Sequence, residues 1–466
     1  MASTERTLHH YELLSTFNQK ASVFTVLGVP VAGDTTSFLK EMVDQAGESI
    51  QLLVRLKHKQ GELIIFRSAG PFTRISHLLR AIAPESWPIE LLQNIDGFTL
   101  NEIERLLGTP MSEIARKQAL SPVSFGGLGL HFAMDNTRHQ FLYDKGLESI
   151  GQQLCNLRGL EAIPKPPVPT KIQPSNRAKT KLQALLRTAS EGDRTLLAQT
   201  IDPHSGAFLT AKPVGCTELK EEAFTTTLRL RLGLEQLPSG CRCLTHQCLY
   251  DARGHHALSC QNFQRSVHIR HDMIRDEIFS FCKCLDDIAE HGIEHMELAA
   301  PDDLSQFNGG DPATEQHASG RTIPGDISLR LSRDDASRTF YDVTVVNTLT
   351  AQAIFTAEKA ATPTEGFLLV LRAAFDRKVA KHGADVSCIG GRFVPFVVST
   401  TGVWYPDSLR ELRKIATYVS TLRGNSDSDS WKLLLAKVGC AMARGNELVL
   451  ASARRALTAA AEGVDE

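Results

Sequence analysis

A chain of 466 residues with 42% apolar side chains can bury cores for two to four domains. Its 22% charged content is ordinary for a globular protein, and a formal net charge of −2 excludes a globally basic nucleic-acid coat while leaving room for local phosphate-binding patches. The opening MASTERTLHHYELLS has no apolar core of a secretory signal, and no apolar run approaches the ~18 residues of a membrane span, so an intracellular protein without a membrane partner is expected.

Along the chain, residues 35–160 read as mostly helical. TTSFLKEMVDQAGESIQLLVRLKHK spaces Phe38, Leu39, Met42, Ile50, Leu53 and Leu56 as one face of a helix, and PFTRISHLLRAIAP carries a second stripe. In SPVSFGGLGLHFA, Gly126, Gly127 and Gly129 break the helix and predict a tight turn. The five prolines and the Lys/Arg run of EAIPKPPVPTKIQPSNRAKTK predict a stiff extended linker. A second helical block spans about 178–238, one helix covers 263–290, and 294–405 alternates strand, helix and strand. TLRGNSDSDS, 421–430, predicts a polar linker before a final amphipathic helix from about Trp431 to Ala461.

Between the helical blocks, CRCLTHQCLYDARGHHALSC concentrates four cysteines and three histidines. Cys243, Cys248, His256 and Cys260 give C-x4-C-x7-H-x3-C, soft thiolates with one imidazole in the tetrahedral set zinc prefers. Cys241 can replace Cys243 and His255 can replace His256 on spacing alone. Ten cysteines in a reducing compartment favour such a metal site over disulfides, and four protein ligands leave no position for water, so the expected zinc is structural. Arg265, Arg270, His271 and Arg275 follow in FQRSVHIRHDMIRDEIF and are candidate nucleic-acid contacts beside this module.

Two short strands then carry an aspartate each. In DISLRL and YDVTVV the apolar residues alternate with Asp326 and Asp342, and pairing as a hairpin brings both carboxylates to one face. Adjacent carboxylates repel, and a bound Mg²⁺ or Mn²⁺ relieves that repulsion. Glu297, in an apolar stretch upstream, can complete the metal shell. In EGFLLVLRAAFDRKVAKHG, Phe367, Leu371, Ala374 and Phe375 form a buried stripe with Lys378 in its middle and Lys381 at its margin. An ammonium there is costly unless it reaches a carboxylate or a developing oxyanion. Asp334 and Asp335 fall in the turn between the strands.

The order of cysteine module, Arg-His-Asp helix, Pro-x-Asp strand, Asp-Val-Thr-Val strand and Lys-bearing helix resembles the C-terminal half of site-specific non-long-terminal-repeat retrotransposon proteins. These carry a Cys-Cys-His-Cys knuckle and a restriction-like endonuclease of the PD-(D/E)XK superfamily. The family's Arg-His-Asp signature matches Arg270, His271 and Asp272; its Pro-Asp matches Pro324-Gly325-Asp326 with an inserted glycine; its second acid matches Asp342. Its helix-borne lysine matches Lys378, with Lys381 also aligned to a family lysine. VFTVLGVPVAGD and the helices ending SPVSFGGLGL resemble the region after the polymerase palm and the thumb. The aromatic-x-Asp-Asp polymerase motif is absent from the sequence, so no DNA synthesis is expected.

The resemblance implies an α+β multidomain chain: a thumb-like helical region (1–160), a basic linker (161–181), a helical connector (182–240), a zinc knuckle (241–262), an α/β restriction-endonuclease-like core (263–420), and a linker with a C-terminal helix (421–466). It implies a retrotransposon-derived, Mg²⁺- or Mn²⁺-dependent DNA endonuclease in the nucleus. Asp326, Asp342, Lys378, Lys381 and Glu297 would be catalytic, and DNA, element RNA and a separate reverse transcriptase are the expected partners. The alternative is a non-catalytic nucleic-acid-binding remnant that uses the knuckle.

Overall fold

Helix caps and apolar spacing set the local structure. A computed structural model describes residues 23–26, 29–135, 140, 142–149, 152–153, 174–238, 242–243, 250–283, 294–295, 326–329, 338–388 and 390–462. It is mostly helical with one small mixed sheet and an isolated two-stranded ribbon, an α+β protein that divides into two units. The first comprises residues up to 57, 62–106 and 131–171; the second comprises 58–61, 107–130 and everything from 172 onward.

In the first unit, β1 (Val23–Val26) and β2 (Val29–Gly33) pair antiparallel ahead of α1 (Thr35–Val54), α2 (Lys59–Ala69), α3 (Pro71–Ala81) and α4 (Ile89–Leu107). Asp34 caps α1, accepting the Ser37 N–H at 3.0 Å. Leu39, Val43 and Ala46 then bury against Ile75, Leu78 and Leu79 of α3 and Leu91, Leu92 and Ile95 of α4. The expected stripe stops short of Leu56, because α1 ends at Val54 and Leu56 is exposed.

The second unit takes in residues 107–130 as well as everything from 172 onward. After α5 (Glu113–Ala119), the chain turns at Gly126, whose φ of 85° is left-handed backbone that glycine adopts without strain. Gln118 then ties this turn inward, donating to the carbonyls of Arg231 at 2.9 Å and Gly126 at 3.1 Å. The SPVSFGGLGL segment therefore packs with the C-terminal residues. The predicted linker also shortens: α6 (Pro174–Thr188) starts at a proline whose fixed φ suits a first helical position, and it is helical through 181. The residues from 154 to 173 lie outside the described ones.

Downstream come α7 (Glu191–Thr200), α8 (Glu221–Arg231), α9 (Gln264–Cys282), β3 (Glu294–His295), β4 (Ile327–Leu329), β5 (Thr339–Val346), α10 (Ala351–Ala357), α11 (Pro363–Cys388), β6 (Arg392–Ser399), α12 (Pro406–Arg423) and α13 (Asp427–Glu462). The sheet order is β3-β4-β5-β6, with β4 antiparallel to both β3 and β5 and β6 parallel to β5. The parallel pair needs a crossover, which α10 and α11 provide. One face, from Ile327, Tyr341, Val343, Phe396 and Val398, buries against Ile274 and Phe281 of α9, Ile415 of α12 and Leu434 and Val438 of α13. The opposite face packs Val397 against Phe367, Leu371 and Ala374 of α11, as the stripe requires. Both faces are covered, so Ser328 is buried along with its apolar neighbours on β4.

The predicted linker at 421–430 is a tight helix–helix corner. Gly424 takes a left-handed φ of 64° and the Asn425 N–H bonds the Ser420 carbonyl at 3.0 Å, so α13 can begin at Asp427. Far from being an appendage, α13 crosses α9 at Gly445, where a Cβ would meet Arg270 Cγ at 2.3 Å. Only glycine permits that approach.

Candidate active site and metal centre

The strand register positions the two aspartates. Ile327 pairs with Tyr341 across the antiparallel β4–β5 ladder; Asp326 immediately precedes that pair on one strand and Asp342 follows it on the other. The Asp326 N–H donates to the Tyr341 carbonyl at 2.6 Å, which ties the residue before β4 to the strand that carries Asp342. Asp342 shares its face of β5 with Thr344 and Val346, the face that α11 covers.

Each carboxylate has its own partners. Lys378 Nζ lies 2.8 Å from Asp342 Oδ2 and 3.1 Å from Oδ1, and Thr344 Oγ1 donates to Oδ2 at 2.9 Å. The lysine on the buried stripe thus reaches a carboxylate, with 30% of its side chain exposed against 14% for Asp342. Asp326 Oδ2 accepts the Val343 N–H at 2.7 Å and faces His271 Nε2 at 3.1 Å. The other ring nitrogen of His271 lies 3.1 Å from Asp272 Oδ1.

Electrostatics follow from these contacts. Burial pushes the His271 imidazole down, but its hydrogen bond and charge contact with Asp326, reinforced by Asp272 and Asp342, raise it to about 9. Burial likewise pushes Asp326 up, and the His271 contact and the Val343 N–H outweigh it, leaving the carboxyl below its usual range. The sign of the pH dependence follows. His271 contributes stability that is full below its unfolded value of about 6.5 and is lost as pH rises through about 9. Asp326 contributes above its unfolded 3.8 and is lost as pH falls below that. Without divalent metal, second-unit stability is expected to plateau near pH 5–6.5 and fall by roughly 2–3 kcal/mol toward pH 10. His271→Gln should flatten most of that alkaline decline in urea melts at several pH values; an unchanged slope would exclude the histidine as its source.

The other candidates separate. Arg270, expected to contact nucleic acid, is 1% exposed and donates to Asn446 Oδ1 at 3.1 Å under Gly445. It sits on the inward face of α9, where the α13 crossing excludes any phosphate, and its role is internal. His271, grouped with it as a nucleic-acid contact, is instead turned to Asp326. Arg275 pairs with Asp272 at 3.1 Å and Asp276 at 2.9 Å. Arg265 is exposed on α9. Lys381 is exposed on α11, and its charge acts with burial to hold the neighbouring His382 low. Glu297, Pro324, Gly325, Asp334, Asp335, Cys241 and Cys248 lie outside the described residues.

The cysteine module gathers Cys243, His256 and Cys260, whose ligand atoms all lie within 4.8 Å of one another. This is the only such group of three among the described residues. The two sulfurs are 3.5 Å apart, close to the ~3.8 Å edge of a tetrahedral site with 2.3 Å metal–sulfur bonds, so the cluster can hold a metal ion. Geometry resolves the spacing ambiguity at the histidines: His256 joins the cluster, while His255 lines an internal cavity with Thr400 and Asn446. Asp251 fixes the turn by accepting the His255 N–H at 2.9 Å and the His256 N–H at 2.7 Å.

No helix among the described residues is long and apolar enough to cross a membrane. No protein-family model matches the chain, and no curated protein matches it.

Proposed function

We propose that this chain is a metal-dependent DNA endonuclease of the restriction-like type, descended from a retrotransposon protein and acting on chromosomal DNA in the nucleus. The observation that carries the proposal is that Asp326 and Asp342 both act on His271, with Lys378 of α11 reaching Asp342. Two hard carboxylates suit Mg²⁺ or Mn²⁺, which when bound polarises a phosphoryl oxygen and lowers the pKa of a bound water. Asp326 and Asp342 would hold that ion. His271 orients Asp326, and Lys378 is placed to neutralise charge gathering on a phosphate. Arg265 on the exposed side of α9 is the remaining basic candidate for guiding the DNA backbone. The thiolate–imidazole set of Cys243, His256 and Cys260, with Cys248 as the fourth donor, suits a structural zinc.

A second reading, a non-catalytic nucleic-acid-binding protein, draws on one observation: both carboxylates already have cationic partners of their own. One assay separates the two. Purified chain with supercoiled plasmid and Mg²⁺ should produce nicked circles, and neither Asp326→Ala nor a reaction in EDTA should. DNA retention without cleavage in Mg²⁺ or Mn²⁺ selects the second reading, and cleavage undiminished in Asp326→Ala removes the assignment of the site.

A further inference from the structure

Asn347 immediately follows β5 and is buried, at 9% exposure, yet it belongs to neither the carboxylate pair nor the cysteine cluster. Its amide connects them. Nδ2 donates to the His255 carbonyl, 92 residues away in sequence, and to Ser259 Oγ at 3.3 Å. Oδ1 accepts the Leu349 N–H at 3.1 Å. These three bonds fix the amide's orientation, because a flipped group would set oxygen against the carbonyl and NH₂ against an N–H. The two acceptors flank His256 in the turn that also ends at Cys260. Asp251 holds the N–H groups of that turn, and Asn347 holds its carbonyl side from the sheet. The anchoring strand is itself fixed, since the Val346 carbonyl accepts the Thr400 N–H at 2.9 Å beyond the end of β6.

We infer that Asn347 is a positioning residue through which the strand carrying Asp342 holds the metal-binding turn, linking metal affinity at Cys243, His256 and Cys260 to order at the end of β5. The inference rests on the cysteine cluster being a metal site. Residues that orient first ligands typically change metal affinity by roughly 10- to 100-fold when lost. Because linkage is reciprocal, a metal bound in the turn stabilises the strand end to which it is anchored.

Asn347→Asp keeps the shape and the acceptor for the Leu349 N–H while replacing the donor to His255 with a repelling oxygen. Cobalt(II) titrated into the full chain and read by thiolate-to-cobalt absorption measures affinity without reference to cleavage. The wild type should bind, Asn347→Asp should bind roughly 10- to 100-fold more weakly, and Thr348→Val should bind as the wild type does. Thr348 is the fitting control: it is adjacent and fully buried, but its hydroxyl bonds Gln199 at 2.7 Å, away from the knuckle. Equal affinity in Asn347→Asp, or an equal loss in Thr348→Val, overturns the inference; a wild type that takes up no cobalt overturns the metal-site reading instead. Should Asn347→Asp fail to fold, amide exchange on the wild type decides: metal loading must protect 346–349 as well as 250–263, and protection confined to 250–263 overturns the link.

Discussion

On the proposed nuclease reading, Asp342→Asn is expected to lower the nicking rate on the order of 10³-fold while leaving the fold intact. Asparagine is nearly isosteric and still accepts from Thr344 Oγ1, now 2.9 Å from Asp342 Oδ2. What disappears is the charge that attracts a divalent cation and pairs with Lys378. That lysine is 30% exposed and can turn its ammonium toward water, so the stability cost should stay within roughly 1 kcal/mol. Lys378→Met makes the complementary change: it keeps the apolar stem against α11's buried stripe and frees Asp342 for a metal. The half-saturating Mn²⁺ concentration should therefore fall, while the rate at saturating Mn²⁺ drops about 10²-fold because no cation remains to meet charge on the phosphate. A purely structural ion pair predicts the opposite pattern, with lost stability and an unchanged saturated rate. Cleavage by Asp342→Asn at the wild-type rate would remove the aspartate from the site altogether.

Sequence revealed those features of this site that depend on local period. Alternation along β5 separated Asp342 and Thr344 from Tyr341 and Val343, and the α11 stripe identified Lys378 as a cation with unusual surroundings. Both signals survive because a two-residue and a 3.6-residue period state which side chains share a face. The roles of His271 and Asn347 were not legible. Each acts on a partner brought close only when α9 and the cysteine-bearing turn pack on the sheet, and nothing near either residue in sequence encodes that partner. Arg270 shows the reverse failure, since charge alone suggested an outward face and a glycine on α13 decided otherwise. The division into units is set in the same way: Gln118 belongs to the second unit through bonds to Arg231, a partner 113 residues on.

On the proposed metal-site reading, removing the metal from the cysteine module should destabilise the second unit as a whole. Cys243 and Cys260 belong to a core with Leu230, Tyr250 and Phe263 that also takes in Val449, Leu450 and Ala453 of α13, the helix that packs along α9. A ligand present at about 1,000 times its dissociation constant adds roughly 4 kcal/mol to the folded state. For a unit of this size its removal should lower Tm on the order of 10 °C. The cysteine chemistry supplies a second signature. Burial pushes the Cys260 thiol above its ordinary value, so this sulfur keeps its proton at neutral pH unless a metal displaces it. With at least one thiol proton released on binding, affinity should climb at least about 10-fold per pH unit below the thiol range. Calorimetry with and without chelator at pH 6.5, 7.0 and 7.5 should therefore show a Tm gap that widens with pH when metal is held at a fixed, subsaturating concentration. The His271–Asp326 pair cannot mimic this, because its contribution weakens as pH rises through about 9. A gap independent of pH, or no gap at all, would mean that the thiolates do not hold the metal and that this core stands on its apolar packing alone.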